Sequence, residues 1–387
     1  MKTLKICSSL LVALLISSSV FGQDSTKTFT FSGSIDTYFH SSFGTQNYYP
    51  YDPDEGAYGS YAPSSSFADL KGFSLGMVNL IAAYQGEKVG FVADVVFGPR
   101  GQAAVFGTAS GQAIVNQLFA YYKFSDAVTL NMGQFNTFLG YEVISPAINF
   151  HYSTSYLFSW GPFNHTGLRA DFAFGDGGVA KLAIMNPTDI VEFNPVNTYT
   201  LGAQIGKTSD AGGVWLNFLY GDQDGTLDED VDFIGAESAG TLFQADLTLG
   251  YNLSETFYLG ANASYQTTGE GEVVTASGVD DLGNDASSFV GFALYPKLTL
   301  SESFALGLRG EYFAVTNGHL GIFGLDDNGD GNVIEFTLSG NYKVGGFTFI
   351  PEVRFDKTSE DSFYKDADAG PTENSMVTVN MAAIYKF

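Results

Sequence analysis

The sequence has few charges, a single cysteine and no long hydrophobic run. Charged residues make up 15% of the 387 residues, whereas an ordinary soluble domain has roughly 25%. The surface is therefore too poor in charge for a soluble protein of this size. The only cysteine, Cys7, lies at the N-terminus, so disulfides and a cysteine nucleophile are excluded from the rest of the chain. No later apolar stretch reaches about 18 residues, which excludes transmembrane helices.

Basic residues and histidines are also scarce. The chain has 17 Lys and Arg against 42 Asp and Glu, a formal net charge of -25, which excludes an extended nucleic-acid-binding face. Its four histidines have no HExxH spacing, and Gly-x-Ser-x-Gly does not occur. We therefore predict that the protein is not an enzyme. A Ser, His and Asn site assembled from separate strands is the alternative that spacing cannot test.

The N-terminal residues have the pattern of a secretory signal peptide. Lys2 and Lys5 precede an apolar run from Ile6 to Ile16, and small residues lead to a cleavage site after Gly22. The apolar run has about 11 residues, whereas a transmembrane anchor needs about 20. We expect residues 1–22 to be removed and residues 23–387 to be exported.

What the chain does contain is alternation of apolar and polar residues with a period of two. Val377, Val379 and Met381 alternate with Thr378 and Asn380, which gives a strand two different faces. Similar runs, joined alternately by short polar turns and long Tyr-, Gly- and Asp-rich connections, predict sixteen strands: 28–40, 71–85, 88–98, 112–124, 128–138, 162–174, 179–186, 198–206, 213–221, 240–251, 256–266, 288–300, 303–316, 332–343, 346–357 and 375–387.

This layout is typical of a transmembrane antiparallel up-and-down β-barrel with short periplasmic turns and long extracellular loops. Strands of about 8 to 14 residues are long enough to cross a bilayer, and aromatic residues gather where the strands end. A soluble all-β propeller or a series of sandwiches is the alternative, but its exposed faces would carry more Lys and Glu. We predict one barrel domain over residues 23–387, in the outer membrane of a Gram-negative bacterium.

Two central segments resemble the outer-membrane β-barrel porin-2 family. They are Gly-Phe-Val-Ala-Asp-Val-Val-Phe-Gly-Pro-Arg-Gly at 90–101, and Gly-Gln-Phe-Asn-Thr-Phe-Leu-Gly-Tyr-Glu at 133–142 with Tyr-Ser-Thr-Ser-Tyr-Leu-Phe-Ser-Trp-Gly-Pro-Phe-Asn-His-Thr-Gly-Leu-Arg at 152–169. The resemblance implies a pore-like outer-membrane barrel. The terminal Phe387 also resembles the C-terminal signal that the outer-membrane barrel assembly machinery recognises.

Charged residues in the strands fall between the apolar positions, so we expect them to face the lumen, since a lipid-facing Arg costs about 2 to 4 kcal/mol at the midplane. An arginine wall opposed by a carboxylate wall would create a transverse field, whereas locally paired charges would stabilise the barrel. Arg100, beside Pro99, is expected at the mouth of the pore. The predicted pore-lining and constriction residues are Asp94, Arg100, Glu142, Arg169, Asp171, Arg309, Glu311, Glu352, Arg354 and Asp356.

Residues 139–161 are the best candidate for a loop that folds inward and narrows the pore. The segment is long, aromatic and nearly uncharged, with Glu142 and His151 as its only readily ionisable groups. A loop packed on the outer rim or at a subunit contact is the alternative. His165, in the next strand, is expected to form a hydrogen bond in the wall.

Residues 326–335 resemble a calcium loop. Asp326, Asn328 and Asp330 occupy the first, third and fifth ligand positions, with Gly331 at the sixth, and Asn332 adds a further oxygen. Thr337 stands where a bidentate Glu is expected, and no helices flank the loop, so an acidic surface turn is the alternative.

We therefore predict a channel for passive diffusion of small hydrophilic solutes. Inward carboxylates outnumber inward arginines, which favours cations or neutral solutes. Lipid, these solutes and the assembly machinery are the expected partners, and association with further copies of the chain stays open. The alternative is a non-conducting adhesin or structural barrel whose outer loops bind calcium or a partner.

Overall fold

The period-two alternation produces sixteen β-strands. The computed structural model describes residues 27–45, 51–52, 57–58, 65–105, 114–194, 197–223, 241–269, 272–275, 278–281, 286–318, 324–365 and 371–387. The strands are β1 (Thr28–Phe43), β2 (Gly72–Gln85), β3 (Val89–Phe97), β4 (Val115–Ser125), β5 (Val128–Asn136), β6 (Asn164–Phe174), β7 (Gly178–Met185), β8 (Thr200–Ser209), β9 (Gly212–Gly221), β10 (Leu242–Asn252), β11 (Phe257–Thr268), β12 (Ser287–Thr299), β13 (Phe304–Thr316), β14 (Gly331–Val344), β15 (Phe347–Thr358) and β16 (Ser375–Lys386).

All sixteen predicted strands are confirmed, and each observed end lies within three residues of the predicted one. The predicted signal peptide lies outside the described residues. Where the connections are described, they contain two short helices, α1 (Pro99–Ala104) and α2 (Tyr156–Ser159), and one 3-10 turn at Gly175–Gly177. They also contain small hairpins of Tyr51–Asp52 with Ala57–Tyr58, Glu272–Thr275 with Gly278–Asp281, and Phe363–Tyr364 with Pro371–Glu373. In the part of the chain that is described, no helix is long and apolar enough to cross a membrane.

The sheet closes on itself. Each strand pairs antiparallel with the next one along the chain, and β1 pairs with β16 from Ser34 opposite Lys386 to Phe43 opposite Val377. Closure removes both sheet edges, so the backbone groups of all the strands find partners without water. Both ends of the barrel sequence lie on the side of the short turns, as an even strand number requires.

The wall has an apolar outer face and a polar inner face. In β14, Ile334, Phe336 and Leu338 are exposed on the outside, while Glu335 and Thr337 between them are buried. Exposed aromatic residues gather near the short turns, where an interfacial girdle is expected; among them are Tyr122, Phe124, Phe174, Tyr342, Phe347, Tyr385 and Phe387. These features match a barrel that is surrounded by lipid.

Candidate functional site

The long connection between β5 and β6, residues 137–163, lies inside the barrel; we call it the plug segment. Tyr152 Oη donates a 2.6 Å hydrogen bond to Asp36 on β1, and the N–H of Gly140 donates one of 3.0 Å to Asp246 on β10. Because β1 and β10 are nearly opposite in the ring of sixteen strands, a segment that reaches both must cross the lumen. The alternative, a loop packed on the outer rim or at a subunit contact, does not describe this arrangement.

Three glutamates bind the backbone N–H groups at the centre of the plug segment. Glu352 on β15 accepts hydrogen bonds from the N–H groups of Tyr152 and Ser153, at 2.8 and 3.0 Å. Glu142 accepts from Ser155, at 2.7 Å, and Glu311 on β13 from the next two N–H groups, at 2.7 and 2.8 Å. The last two belong to the first turn of α2, where orphan N–H groups favour a carboxylate.

Three arginines bind the carbonyl groups of the same stretch. Arg100 donates a hydrogen bond of 3.2 Å to the carbonyl of Tyr152. Arg309 and Arg354 donate hydrogen bonds of 2.7 Å each, to the carbonyls of Ser153 and Thr154. All three guanidinium groups are buried. Arg100 belongs to α1, and its guanidinium also lies 4.3 Å from the centre of the Phe67 ring. The plug segment is therefore bound through its backbone by charge-assisted hydrogen bonds, which are about twice as strong as neutral ones.

The lumen charges around the plug segment are paired locally, which is the second of the two arrangements that the sequence left open. Arg309 lies 2.9 Å from Glu335 on the neighbouring strand and 2.8 Å from Glu142. Arg354 lies 2.8 Å from Asp356 of its own strand. In the low dielectric of a filled lumen, a carboxylate beside each guanidinium offsets the cost of burying it, and distant partners would not.

The other predicted residues lie along the wall from β2 to β7. Asp94 is buried and accepts hydrogen bonds from the side chains of Asn79 and Asn116. Arg169 pairs with Asp171 at 2.9 Å on the same strand, and its side chain is 13% exposed. These three residues belong to the inner wall, and within the described residues they form no polar contact with the plug segment.

Sequence reasoning missed the inward glycines that receive plug side chains. A Cβ at Gly307 would overlap the ring of Phe150, and one at Gly260 would overlap that of Tyr141. Two further glycines, at 202 and 291, leave room for Phe138 and Leu157 in the same way. The alternation along the strands predicts that these glycines face inward. It does not indicate which plug side chain packs against each of them.

The two histidines of this region are structural. His151 is buried, and its Nδ1 lies 2.7 Å from Ser339 Oγ. Burial and the nearby charge of Arg309 lower the pKa of His151 to about 3, so the ring is neutral at physiological pH. His165 Nε2 lies 3.0 Å from Thr137 Oγ1, a hydrogen bond between β6 and the first residue of the plug segment.

A cavity of about 180 Å³ remains beneath the plug segment, at the end of the barrel with the short turns. Its upper side is formed by plug residues that include Tyr141 and Phe150. Its lower side is formed by the inner faces of β11, β12, β14, β15 and β16, where Lys297 and Lys343 supply the charged groups.

Asp189, in the connection between β7 and β8, fixes the start of β6. Its carboxylate accepts hydrogen bonds from the N–H groups of Phe163 and Asn164, at 2.9 and 2.7 Å. Burial raises the pKa of Asp189 to about 7. No feature of its sequence neighbourhood predicted this buried carboxylate.

The calcium prediction gains no support from the geometry of its loop. Asp326 Oδ1 accepts hydrogen bonds from the N–H groups of Asn328 and Asp330, which lower the pKa of Asp326. Asp330 in turn accepts from the N–H of Asn317. Among the described residues, no group of three or more His, Cys, Asp or Glu side chains is placed to hold a metal ion.

Comparison with known families identifies the fold. A family model described as "Putative beta-barrel porin-2, OmpL-like" matches residues 28–387, which is the whole barrel. The chain belongs to this family. The protein is therefore a porin-like outer-membrane barrel, and the resemblance of its central motifs is confirmed. No curated protein matches this sequence.

Solved porin structures share the architecture at low sequence identity. The outer-membrane channel DcaP of Acinetobacter baumannii is 14% identical, with a TM-score of 0.57 over 95% of this chain and 99% of that one. OmpT of Vibrio cholerae is 12% identical, with a TM-score of 0.56 over 95% and 100%. OmpF of Salmonella typhi, solved with daunomycin, is 11% identical, with a TM-score of 0.54 over 93% and 97%. These likenesses concern the fold.

Proposed function

We propose that the barrel is a passive channel for small hydrophilic solutes and that the plug segment sets its size limit. The observation that carries this proposal is the backbone recognition of residues 152–157 by Arg100, Arg309 and Arg354 and by three glutamates. It fixes a constriction inside a sixteen-stranded barrel, a size of barrel that otherwise encloses an aqueous channel. We propose no enzymatic activity.

The charges at the constriction favour cations and neutral solutes. Among the described residues, the carboxylates that contact the plug segment or its arginines outnumber the three guanidinium groups that contact it; they include Asp36, Glu142, Asp189, Asp246, Glu311, Glu335, Glu352 and Asp356. A net negative lining attracts cations and repels anions. Because most of these groups are paired, we expect the preference to be mild.

The test is single-channel conductance in planar bilayers, with a salt gradient to measure ion preference. The comparison is with a shortened barrel in which an Asn-Gly turn replaces residues 138–162. Asn136 at the end of β5 pairs with Asn164 at the start of β6, and the N–H of Thr137 donates a 2.9 Å hydrogen bond to the carbonyl of Phe163. A two-residue hairpin turn can therefore join β5 to β6. As a matched control, Gly-Ser replaces residues 366–370 in another long connection.

We expect small cation-preferring steps from the wild type and the control, and larger, less selective steps from the shortened barrel. Heat-modifiable gel mobility verifies that each protein is folded. Equal conductance of the wild type and the shortened barrel would contradict the role of the plug segment, and anion preference would contradict the charge argument.

The dense packing of the plug segment favours one other function, a non-conducting surface barrel whose outer loops bind a partner. Leu157, Phe289 and Phe313 form part of a buried apolar cluster between this segment and the wall. A folded wild type that is silent while the shortened barrel conducts would support this second function and refute passive diffusion.

We also propose that residues 1–22 direct export and that Phe387 is read during barrel assembly. The N–H and carbonyl groups of Phe387 pair with those of Gly33, at 3.0 and 3.1 Å, so the last residue closes the seam between the first and last strands. Deletion of Phe387 should therefore slow insertion into the outer membrane, which pulse-chase folding assays measure.

A further inference from the structure

We propose that the cavity beneath the plug segment binds one small amphiphilic carboxylate, with its anionic group at Lys297 and Lys343 and its apolar part against the aromatic walls. This site lies on the periplasmic side of the constriction and is separate from the cation-preferring lining, and the inference rests on the channel proposed above only for its biological use.

Two lysines supply the positive charge of the cavity. Lys297 and Lys343 both line it. Neither forms an ion pair with any residue in the described part of the chain. Two ammonium groups that line one cavity without an ion-pair partner form a site for an anion, because both attract a bound carboxylate.

Among the described residues, no other group in the cavity neutralises these lysines. In this part of the chain, Glu142 is the one acidic residue of the lining, and its oxygens accept hydrogen bonds from Arg309 and from the N–H of Ser155. His151, the other titratable side chain besides the tyrosines, is neutral for the reasons given above. The positive charge of the cavity is therefore available to a solute, in a protein that is strongly acidic overall.

The cavity also has an apolar wall. The ammonium group of Lys297 lies 4.5 Å from the ring centre of Tyr258 and 5.9 Å from that of Phe150. Tyr141 stacks on Tyr295 with ring centres 4.0 Å apart, and Ile350 and Ile384 complete the lining. A small inorganic anion would leave these surfaces without a partner, whereas an aromatic or branched aliphatic carboxylate would cover them.

The site faces the short-turn end, which is the periplasmic side of a barrel of this topology. Lys343 is exposed there, while the plug segment closes the cavity from above. A solute bound at this point stands directly below the constriction. The cavity therefore supplies the anion recognition that the negative lining of the constriction does not.

The experiment is equilibrium binding of benzoate to the folded full-length barrel, measured by isothermal titration calorimetry in detergent. Benzyl alcohol and benzylamine are the neutral and cationic comparison probes. The variants are Lys297→Met, Lys343→Met and the charge-retaining Lys343→Arg. Lys207→Met is the matched control, because Lys207 is exposed in the outward-facing row of β8 that contains Leu201 and Ile205.

We expect saturable binding of benzoate. Either Lys→Met change should weaken it at least about tenfold, because each removes a charge-assisted hydrogen bond to the carboxylate. Lys343→Arg and Lys207→Met should weaken it by about threefold or less, because the first keeps the charge and the second lies outside the cavity. Benzyl alcohol and benzylamine should bind at least about tenfold more weakly than benzoate. Absence of saturable benzoate binding, equal binding of the three probes, or equal loss in Lys207→Met would overturn the proposal.

The binding site and the channel can be refuted independently of each other. Benzoate binding by a barrel that is silent in bilayers would retain the site and refute the channel. Conductance without benzoate binding would retain the channel and refute the site.

Discussion

Substitution of Arg309 by Met should release the plug segment while the barrel stays folded. Arg309 is fully buried, and its guanidinium group contacts Glu142, Glu335 and the carbonyl of Ser153 at 2.7 to 2.9 Å. Met fills a similar volume but carries no charge. The change therefore leaves two buried carboxylates without their main partner and one carbonyl without its donor.

Removing one partner of a buried ion pair costs about 3 to 5 kcal/mol. The sixteen-stranded wall does not depend on this pair, so we expect the cost to fall on the equilibrium between the bound and the released plug segment. Since every 1.4 kcal/mol is a factor of ten, the released fraction should rise by roughly two to three and a half orders of magnitude. Arg169→Met is the matched control, because its ion pair with Asp171 is partly exposed and contacts no plug residue, and such pairs contribute about 0 to 1 kcal/mol.

The assay is limited chymotrypsin digestion of the folded protein. Tyr152, Tyr156 and Phe158 are buried cleavage sites that become accessible only on release, so the cleavage rate follows the released fraction. A second measurement adds Glu142→Gln. In the Arg309→Met background this change should cost less than in the wild type, because it removes a charge that has already lost its partner. Equal cleavage rates for Arg309→Met, Arg169→Met and the wild type would refute the reasoning.

Two further predictions concern the fit of the plug segment and the support of its C-terminal end. Gly307→Val should displace Phe150 and raise both chymotrypsin cleavage and conductance, because overpacking costs about 1 to 3 kcal/mol. Gly310→Val is the control, because a Cβ at Gly310 meets only the edge of the Phe336 ring, at 3.4 Å. An equal effect of the two substitutions would contradict the proposed packing of Phe150 against Gly307. Burial raises the pKa of Asp189 to about 7 in the folded state, above its ordinary value. Between about pH 4 and 7 the folded state therefore binds a proton that the unfolded state has lost, so the free energy of unfolding should fall as the pH rises through this range. Thermal unfolding from pH 4.5 to 7.5 should show this slope in the wild type and lose it in Asp189→Asn, and identical slopes would refute the assignment.

The sequence predicts the wall of this protein well, because the wall is a local pattern. Each strand alternates between lipid and lumen, so an inward Glu335 between outward Ile334 and Phe336 is visible from three neighbouring residues. The inward direction of the charged residues follows from the same alternation. The partners of these residues do not follow from it, and for that reason the sequence leaves opposed walls and local pairing open as alternatives.

The plug segment is only partly readable from sequence. Its length, aromatic content and lack of charge single it out, but the path that brings Tyr152 to Asp36 depends on contacts between residues far apart in the chain. Even so, the inward glycines carry a usable signal. In a water-filled pore, no side chain needs the space that a lumen-facing glycine leaves. At Gly260 and Gly307 that space is filled by Tyr141 and Phe150.

The scarcity of arginine acquires a physical reason in the structure. Of the four arginines in the chain, Arg100, Arg309 and Arg354 donate to three consecutive carbonyl groups of the plug segment. A guanidinium group has several donors in a rigid fork and can serve a carboxylate and a carbonyl together, which one lysine ammonium does less well. The two lysines of the lower cavity have no such second task in the described residues. Arginine charge thus holds the constriction in place, whereas lysine charge is available to the carboxylate proposed for the lower cavity. For this reason Arg309→Met should change chymotrypsin cleavage and Lys297→Met should change benzoate binding.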